Sequence, residues 1–442
     1  MSSGLEDVLK DYLPKDKTFE ILHLQNTPIE VHPIVTIKSQ NDKGNDSSDV
    51  TIKIPHFFSL AHNRKFVFGI EIHVYIVLKK AGSSPNLEYD TADRLLFVSK
   101  ADTNGYCDIK FSVKQITKGL IRYLFSIDPA HYLKKVIPLK RKYPKSNSHK
   151  LITKETKLEN ALHILSERIN ESSTSKQVRE QSTVAEPYYH SYKTPTNIVT
   201  KLCLFTRPAD QYLFAESSKN PLKHTLNGAG LLKWWLSIID ELLCEVFMDD
   251  SVGKLRIPGE EPITVRRYLK NTKFRNWMVG DIFGGRANSI AVFSIPLFSD
   301  DPKSRFLHEL VEENRVLATN LNTFWMELQE RQEFKLSETV SVIGISGHTT
   351  ISNLLRITDN DTMVTTSKKE YKYIKNYITG EEYNTVEGAL ESYENVTEYL
   401  AYKYNMKLLS VIGEMIHKVK IQKETNVQPA VSILKPRKKA KI

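Results

Sequence analysis

Three stretches of this chain bring together side chains that could do chemistry. In LFTRPADQYLF, Leu204 to Phe214, a strand-like run ends in Arg207-Pro208 and is followed by Asp210, Gln211 and Tyr212. Polar groups at a strand's end occupy the place where open α/β sheets hold ligands. A strand-to-helix turn with Tyr212 packed beneath it accounts for the same residues. In Lys233-Trp234-Trp235, adjacent rings at a helix start diverge by ~100°, so they are not expected to share one pocket. One indole could face a groove as a flat wall for an acyl chain or a lysine stem; a broad apolar face could also take both. The third stretch, Ser299-Asp300-Asp301-Pro302-Lys303-Ser304-Arg305, lies between a strand-like run and a helix-like one. Two adjacent carboxylates could attract a cationic lysine, or one could accept its proton. Spacing alone favours a helix start, with Asp301 as N-cap and Pro302 at the first helical position. Capping beside a positive helix end lowers a carboxylate's pKa and weakens it as a base.

Other chemistry is not signalled. GxxxxGK[ST], a strand-linked GxGxxG, HExxH and GxSxG are all missing, so common nucleotide, zinc-protease and hydrolase signatures do not apply. Cys107, Cys203 and Cys244 are too few and too scattered for a disulfide framework or a zinc pattern, and read as ordinary thiols in a reducing interior. No metal site is expected. No run of ~18 apolar residues occurs, so no membrane span is expected, and the charged N-terminus lacks the pattern of a secretory signal.

These residues need a frame. At 442 residues, 40% of them hydrophobic, the chain has ample core material. Phe66 to Leu78 reads as a central strand and Arg94 to Ser99 as a second. Asn104-Gly105 then marks a tight turn, with Tyr106 to Val113 as the hairpin partner. Further strands are expected at Leu202–Phe205, Ile290–Ile295 and Val340–Ile345. Helices are expected at Ile116–Phe125, Gly230–Phe247, Lys303–Thr319, Thr323–Phe334 and Val396–Lys418. The class is therefore α/β or α+β with a mixed sheet. Gly/Ser/Asp-rich loops are expected at 39–49 and 81–93. A polar, basic insertion occupies about 141–190, with one amphipathic stretch at Leu158–Ile169. The end of the chain carries KPRKKAK, a basic cluster of the nuclear-localisation type.

Read together, RLLFVSKADTNGYC, KLCLFTRPADQYLF, SSKN, KWW, KLRIPGEEP, VGDIF, SDDPKSRF, ELQERQEFKL, ITGEEYNTVEGA and LKPRKKAK resemble the fungal histone H3 acetyltransferases, the regulator of Ty transposition family. The blocks run in a single order from near His56 to the C-terminus. The resemblance implies a central mixed sheet flanked by helices, as in the CREB-binding-protein type of acetyltransferase. It implies one large domain over 1–424 and a basic tail over 425–442. It also implies acetyl transfer from acetyl-CoA to lysines of newly made histone H3, one at the core edge and others in the tail. That activity would serve replication-coupled chromatin assembly and genome stability in the nucleus. The implied partners are H3–H4 and histone chaperones of the nucleosome-assembly-protein and anti-silencing classes, with direct DNA binding not central. A non-catalytic chromatin scaffold with a basic arm is the alternative.

Carried over by position, Ala101, Asp102 and Thr103 match acetyl-CoA contacts. So does the expected strand Lys110, Phe111, Ser112, Val113 and Lys114, where the two lysines would balance phosphate charge. Phe205, Ala209, His224, Thr225, Leu226 and Trp234 match further acetyl-CoA contacts. Tyr212 and Trp235 match residues around the substrate lysine. Asp300 and Asp301 match the acidic pair, with Asp301 the candidate acid/base, and Lys303 matches a lysine that acetylates itself. A relay through Cys107 or Cys203 is the competing route, disfavoured because strand cysteines are usually buried and inert. Ser299 stands where the family has proline.

The net charge of +10 at first suggests an acidic partner. However, Lys134–Lys157 carries +8 and the segment from Lys418 onward carries +7, which leaves −5 for the rest. An acidic body suits a basic substrate, and the two basic segments suit acidic chaperones and nuclear import.

Overall fold

The computed structural model describes residues 4–36, 49–80, 89–139, 189–331, 338–355 and 362–416. Residues 140–188 of the basic insertion and the tail 425–442 lie outside the described residues, and with them the amphipathic stretch Leu158–Ile169 and the nuclear-localisation cluster. Most of the expected loops at 39–49 and 81–93 lie outside them too.

Among the described residues, eleven strands form one mixed sheet. They are β1 (Thr18–Asn26), β2 (Ile29–Val31), β3 (Val50–His62), β4 (Lys65–Lys79), β5 (Thr91–Thr103), β6 (Asn197–Thr206), β7 (Val252–Arg256), β8 (Trp277–Val279), β9 (Ser341–Gly347), β10 (Met363–Thr365) and β11 (Leu409–Ile412). The order across the sheet is β10-β1-β3-β4-β5-β6-β9-β7-β8, with β11 on β1 and β2 on β3. β5 and β6 run parallel, as do β1–β10 and β7–β8, while the remaining pairs are antiparallel. The helices are α1 (Leu5–Leu9), α2 (Val113–Ser126), α3 (Pro129–Leu133), α4 (Gly228–Val246), α5 (Pro262–Leu269), α6 (Pro302–Glu312), α7 (Leu321–Gln329), α8 (Lys368–Thr379) and α9 (Val386–Tyr404).

The two faces of the sheet follow from the period-2 alternation of a strand. On β4, Phe68, Ile70, Ile72, Val74, Ile76 and Leu78 enter the core shared with α2 and α4. The opposite face carries Glu71, His73 and Tyr75. There α8 and α9 pack over Phe57 and Phe66, while α6 and α7 pack over Val340 and Val342. Helices thus flank a central mixed sheet on both faces, as expected.

Several expected elements take another form. Tyr106–Val113 is not a hairpin strand: Gly105 (φ +90) turns the chain against Lys223, whose backbone N a Cβ there would meet at 2.7 Å. Asn220 then donates to the Asn104 carbonyl at 2.6 Å, and Ser112 caps α2 by accepting from Gln115 N. Ile290–Ile295 is apolar because it is buried beneath α6 and α7, and Ala291–Phe293 forms a 3-10 turn rather than a strand. The last helix is Val386–Tyr404, ended by left-handed Asn405, so residues 409–412 of the expected 396–418 helix form β11 instead.

One buried polar chain crosses the first core. Thr362, His23, His56 and Tyr132 are linked by contacts of 2.7, 2.9 and 3.1 Å. Burial holds the His23 imidazole down to about 3 and the His56 imidazole well below its ordinary range, with neighbouring histidine charge adding to each shift. An unfolded histidine protonates near pH 6.5, so below that pH the unfolded chain binds protons that the folded chain refuses. Stability should hold above about pH 6.5 and fall below it, by up to ~1.4 kcal/mol per pH unit for each such histidine. Urea unfolding between pH 7.5 and 5, above the main carboxylate range, checks this; a flat profile contradicts it.

Candidate active site

The site begins with one extra residue. Across β4 and β5, Ile72 faces Val98, but Glu71 faces Lys100, so Ser99 is bulged out of the ladder. A bulge shifts the alternation of everything after it. Before it, Leu96 and Val98 point into the α2/α4 core. After it, Ala101 and Thr103 pair with Ile70 and Phe68, while Lys100 and Asp102 pair with Glu71 and Gly69. The last residues of β5 therefore send Ala101 and Thr103 to one face and Lys100 and Asp102 to the other.

Asp102 uses that position as a tether. Its Oδ2 accepts from the backbone N–H groups of Tyr212 and Leu213 at 2.8 and 3.0 Å, and its Oδ1 meets the buried Lys223 ammonium at 2.8 Å. Gly69 leaves room for the tethered loop: a Cβ there would meet Leu213 at 3.2 Å. This loop is the RPADQYLF segment after β6. The tether fixes Tyr212 between two clefts.

The larger of these, about 330 Å³, is lined by Phe68, Ala101, Asp102, Thr103, Val113, Pro208, Ala209, Tyr212, Lys223, His224, Thr225, Leu226, Leu231, Trp234 and Trp235. The indoles of Trp234 and Trp235 are 4.9 Å apart at 84°. Contrary to expectation, both serve one cleft, because the edge of one ring abuts the face of the other. The smaller cleft, about 210 Å³, is lined by Phe97, Val98, Ser99, Lys100, Phe205, Arg207, Gln211, Tyr212, Asp300, Pro302 and Arg305.

The acidic pair borders the smaller cleft. Asp300 adopts φ +60, a left-handed conformation that aspartate tolerates better than most residues. Its carboxylate lies 3.3 Å from Lys100 Nζ. Asp301 caps α6, accepting from Lys303 N at 3.0 Å, while its other oxygen takes the Lys303 ammonium at 2.5 Å. Asp301 and Lys303 are both buried, with Phe205 beneath the lysine, its ring centre 5.1 Å from Nζ. Asp281 is buried nearby; burial pushes its carboxyl up, while the Lys303 and Arg256 charges pull it back. Burial also raises the thiols of Cys107 and, strongly, Cys203. Both stay protonated, which argues against a cysteine relay.

Most of the expected residues gather here. Ala101, Asp102, Thr103, Val113, Ala209, Tyr212, His224, Thr225, Leu226, Trp234 and Trp235 share the larger cleft. Phe205 and Asp300 line the smaller one. Asp301 lies under it, engaged with Lys303. Lys110, Phe111, Ser112 and Lys114 line neither: Lys110 and Phe111 precede α2, Ser112 is its N-cap and Lys114 lies in its first turn. Lys114 is ion-paired with Glu241 at 2.7 Å and borders a separate cleft of about 650 Å³ beside α4 and α5. In the larger cleft the sequence reading missed Phe68, Lys223 and Leu231. Phe68 and Leu231 look like ordinary core residues, and Lys223 is explained only by Asp102. Among the described residues, no group of three His, Cys, Asp or Glu side chains could hold a metal ion. No described helix is long and apolar enough to cross a membrane.

Residues 5–399 match the sequence profile of the histone acetyltransferase KAT11-type domain. The chain belongs to that family. Histone acetyltransferase RTT109 of Candida albicans is 31% identical over 369 residues, covering 81% of this chain and 90% of that protein. Histone acetyltransferase rtt109 of Schizosaccharomyces pombe is 36% identical over 146 residues, 30% of this chain and 37% of that one. The crystal structure of Rtt109 from Aspergillus fumigatus shares the fold, with a TM-score of 0.61 at 19% identity, covering 93% of this chain and all of that one. This KAT11-type chain is thus a histone acetyltransferase rather than a non-catalytic scaffold, and such a family draws its acetyl group from acetyl-CoA.

The Asp102 tether gives a direct test. Asp102→Ala leaves a buried ammonium and two backbone donors without their acceptor. Losing one partner of such a pair costs about 3–5 kcal/mol. We expect a lower unfolding midpoint and acetyl-CoA affinity reduced by about tenfold or more, equivalent to ~1.4 kcal/mol. Calorimetric titration and denaturation check both; unchanged binding would show that the loop holds itself.

Proposed function

We propose that acetyl-CoA occupies the larger cleft and that the substrate lysine enters through the smaller one, the two meeting at Tyr212. That shared residue is the observation that carries the reading. Phe68, Val113, Leu231 and Trp234 offer apolar walls suited to a pantetheine chain, with exposed His224 and Thr225 at the edge. Tyr212 and Trp235 border the place where an acceptor amine would meet the thioester. Lysine is neutral in only about one molecule in 2,500 at pH 7, so the protein must take a proton and exclude water. Asp300 faces the cleft and suits the arriving ammonium.

Asp301 is the proposed proton acceptor, but it is occupied by Lys303. Acetylation of Lys303 would remove that ammonium and free the carboxylate, so self-modification would prime the enzyme. Lys303→Arg, which keeps the charge and cannot be acetylated, should lower kcat by about tenfold or more. Lys303→Gln should keep more activity than Lys303→Arg. Asp301→Asn should cost about a hundredfold in kcat, as loss of an acid/base group does. Steady-state assays with peptide mass spectrometry check all three, and a fully active Lys303→Arg variant would end the priming role.

The proposed substrate is histone H3 within H3–H4, at a core-edge lysine and tail lysines, during replication-coupled assembly in the nucleus. An acidic body of net −5 and relatives named as histone acetyltransferases support this reading. Chaperones of the nucleosome-assembly-protein and anti-silencing classes are the proposed partners, docking through the basic segments. Label transfer from acetyl-CoA to H3–H4, with and without each chaperone, tests it. Strong labelling of H3 that rises with chaperone is expected, and equal labelling of H3 and H4 would overturn the specificity.

A further inference from the structure

Three lysines touch the Ser299–Asp301 turn among the described residues. Lys303 is held by Asp301 at 2.5 Å and Lys100 by Asp300 at 3.3 Å. Lys53 is different. It projects from β3, and its Nζ donates to the Ser299 hydroxyl at 2.8 Å and rests 5.6 Å from the centre of the Tyr75 ring. Among the described residues, a neutral hydroxyl and an aromatic ring are what its ammonium touches, with no carboxylate in ion-pair contact.

We propose that Lys53 is an acetylation site of this chain, a second self-acceptor distinct from Lys303. The step is direct: the neutral Lys53 amine attacks the acetyl carbonyl of acetyl-CoA, a C–N bond forms and the C–S bond breaks. The CoA thiolate leaves, and the amine's surplus proton passes to solvent. The proposal needs the thioester donor but not the assignment of Asp301 as proton acceptor.

The surroundings favour the neutral amine. Burial brings Lys53 down to about 8, the charges of Lys368 and Lys375 on α8 act in the same direction, and Glu71 on β4 and Asp300 in the turn oppose the shift. His73 of β4 also lies within electrostatic reach. About one Lys53 in ten is then neutral at pH 7, against about one in 2,500 for an ordinary lysine. Lys53 is half-buried and its hydrogen-bond partner Ser299 is exposed, so the ammonium end sits at the edge of the protein, beside the turn that carries Asp300. Lys303 is buried beneath the same turn. Acetylation would also remove the ammonium that holds Ser299, leaving the turn to Lys100 and Lys303.

The test is site-resolved mass spectrometry of the full chain incubated with acetyl-CoA from pH 6.5 to 9, with Lys53→Arg as the peptide control. Acetyl-Lys53 should accumulate at least tenfold faster at pH 7 than acetylation of exposed Lys372 or Lys407, with its rate levelling off above about pH 8. Labelling of Lys53 no faster than those lysines, or still rising steeply to pH 9, would overturn the proposal. Histone acetylation in the same samples separates the two readings. Labelled histone with unmodified Lys53 defeats this proposal alone, whereas labelled Lys53 with unlabelled histone supports it and strikes the proposed function instead.

Discussion

The site depends on a single added residue in β5. Without the bulge at Ser99, Lys100 and Asp102 would continue on the face of Val98 and point into the α2/α4 core, where Ile70 and Ile72 leave no place for charge. With it, one carboxylate and one ammonium cross to the opposite face within three residues. Ala101 and Thr103 turn the other way to line the larger cleft. A strand normally serves two faces by alternation; here the alternation is reset at the position where two clefts must be served at once.

Of the charges that cross with the bulge, Asp102 belongs to a set of buried ions held by matched partners. Asp102 is matched by Lys223 and two backbone donors, and Asp301 by Lys303 and its own helix start. Such pairs are weak sources of net stability, but breaking one is costly. Their effect is positional: Tyr212 is held where both clefts can use it, and α6 is anchored beneath the smaller one. Asp300, left-handed and partly exposed, stays available at the cleft surface because its neighbour takes the capping role.

Sequence reading captured the parts governed by local rules. Continuous apolar, β-branched and aromatic runs located β4 and part of β6, helical spacing located α2 and α4, and the Asp-Pro pair located the start of α6. The Asp301 cap expected from spacing is what the structure contains, and the residues carried over from the family mostly share one cleft. What stayed hidden depends on distant partners. A bulge has no composition signature in RLLFVSKADT, and Lys223 carries no mark of a counter-charge 121 positions away. β1 and β3 pair across long separations, and the 110–114 segment looked strand-like because alternating Ile109, Phe111 and Val113 also suit a chain packing against the first core.

The central claim is that the two clefts form one reaction path through Tyr212. A crystal structure of the protein bound to a lysine–CoA conjugate, with the lysine nitrogen joined to the CoA sulfur by an acetyl bridge, tests it most directly. The CoA portion should lie against Trp234 and Ala101, the bridge beside Tyr212 and Trp235, and the lysine stem should run past Phe205 toward Asp300. A conjugate seated in the separate cleft beside Lys233 and Arg267, or one whose lysine stem avoids the smaller cleft, would contradict the account.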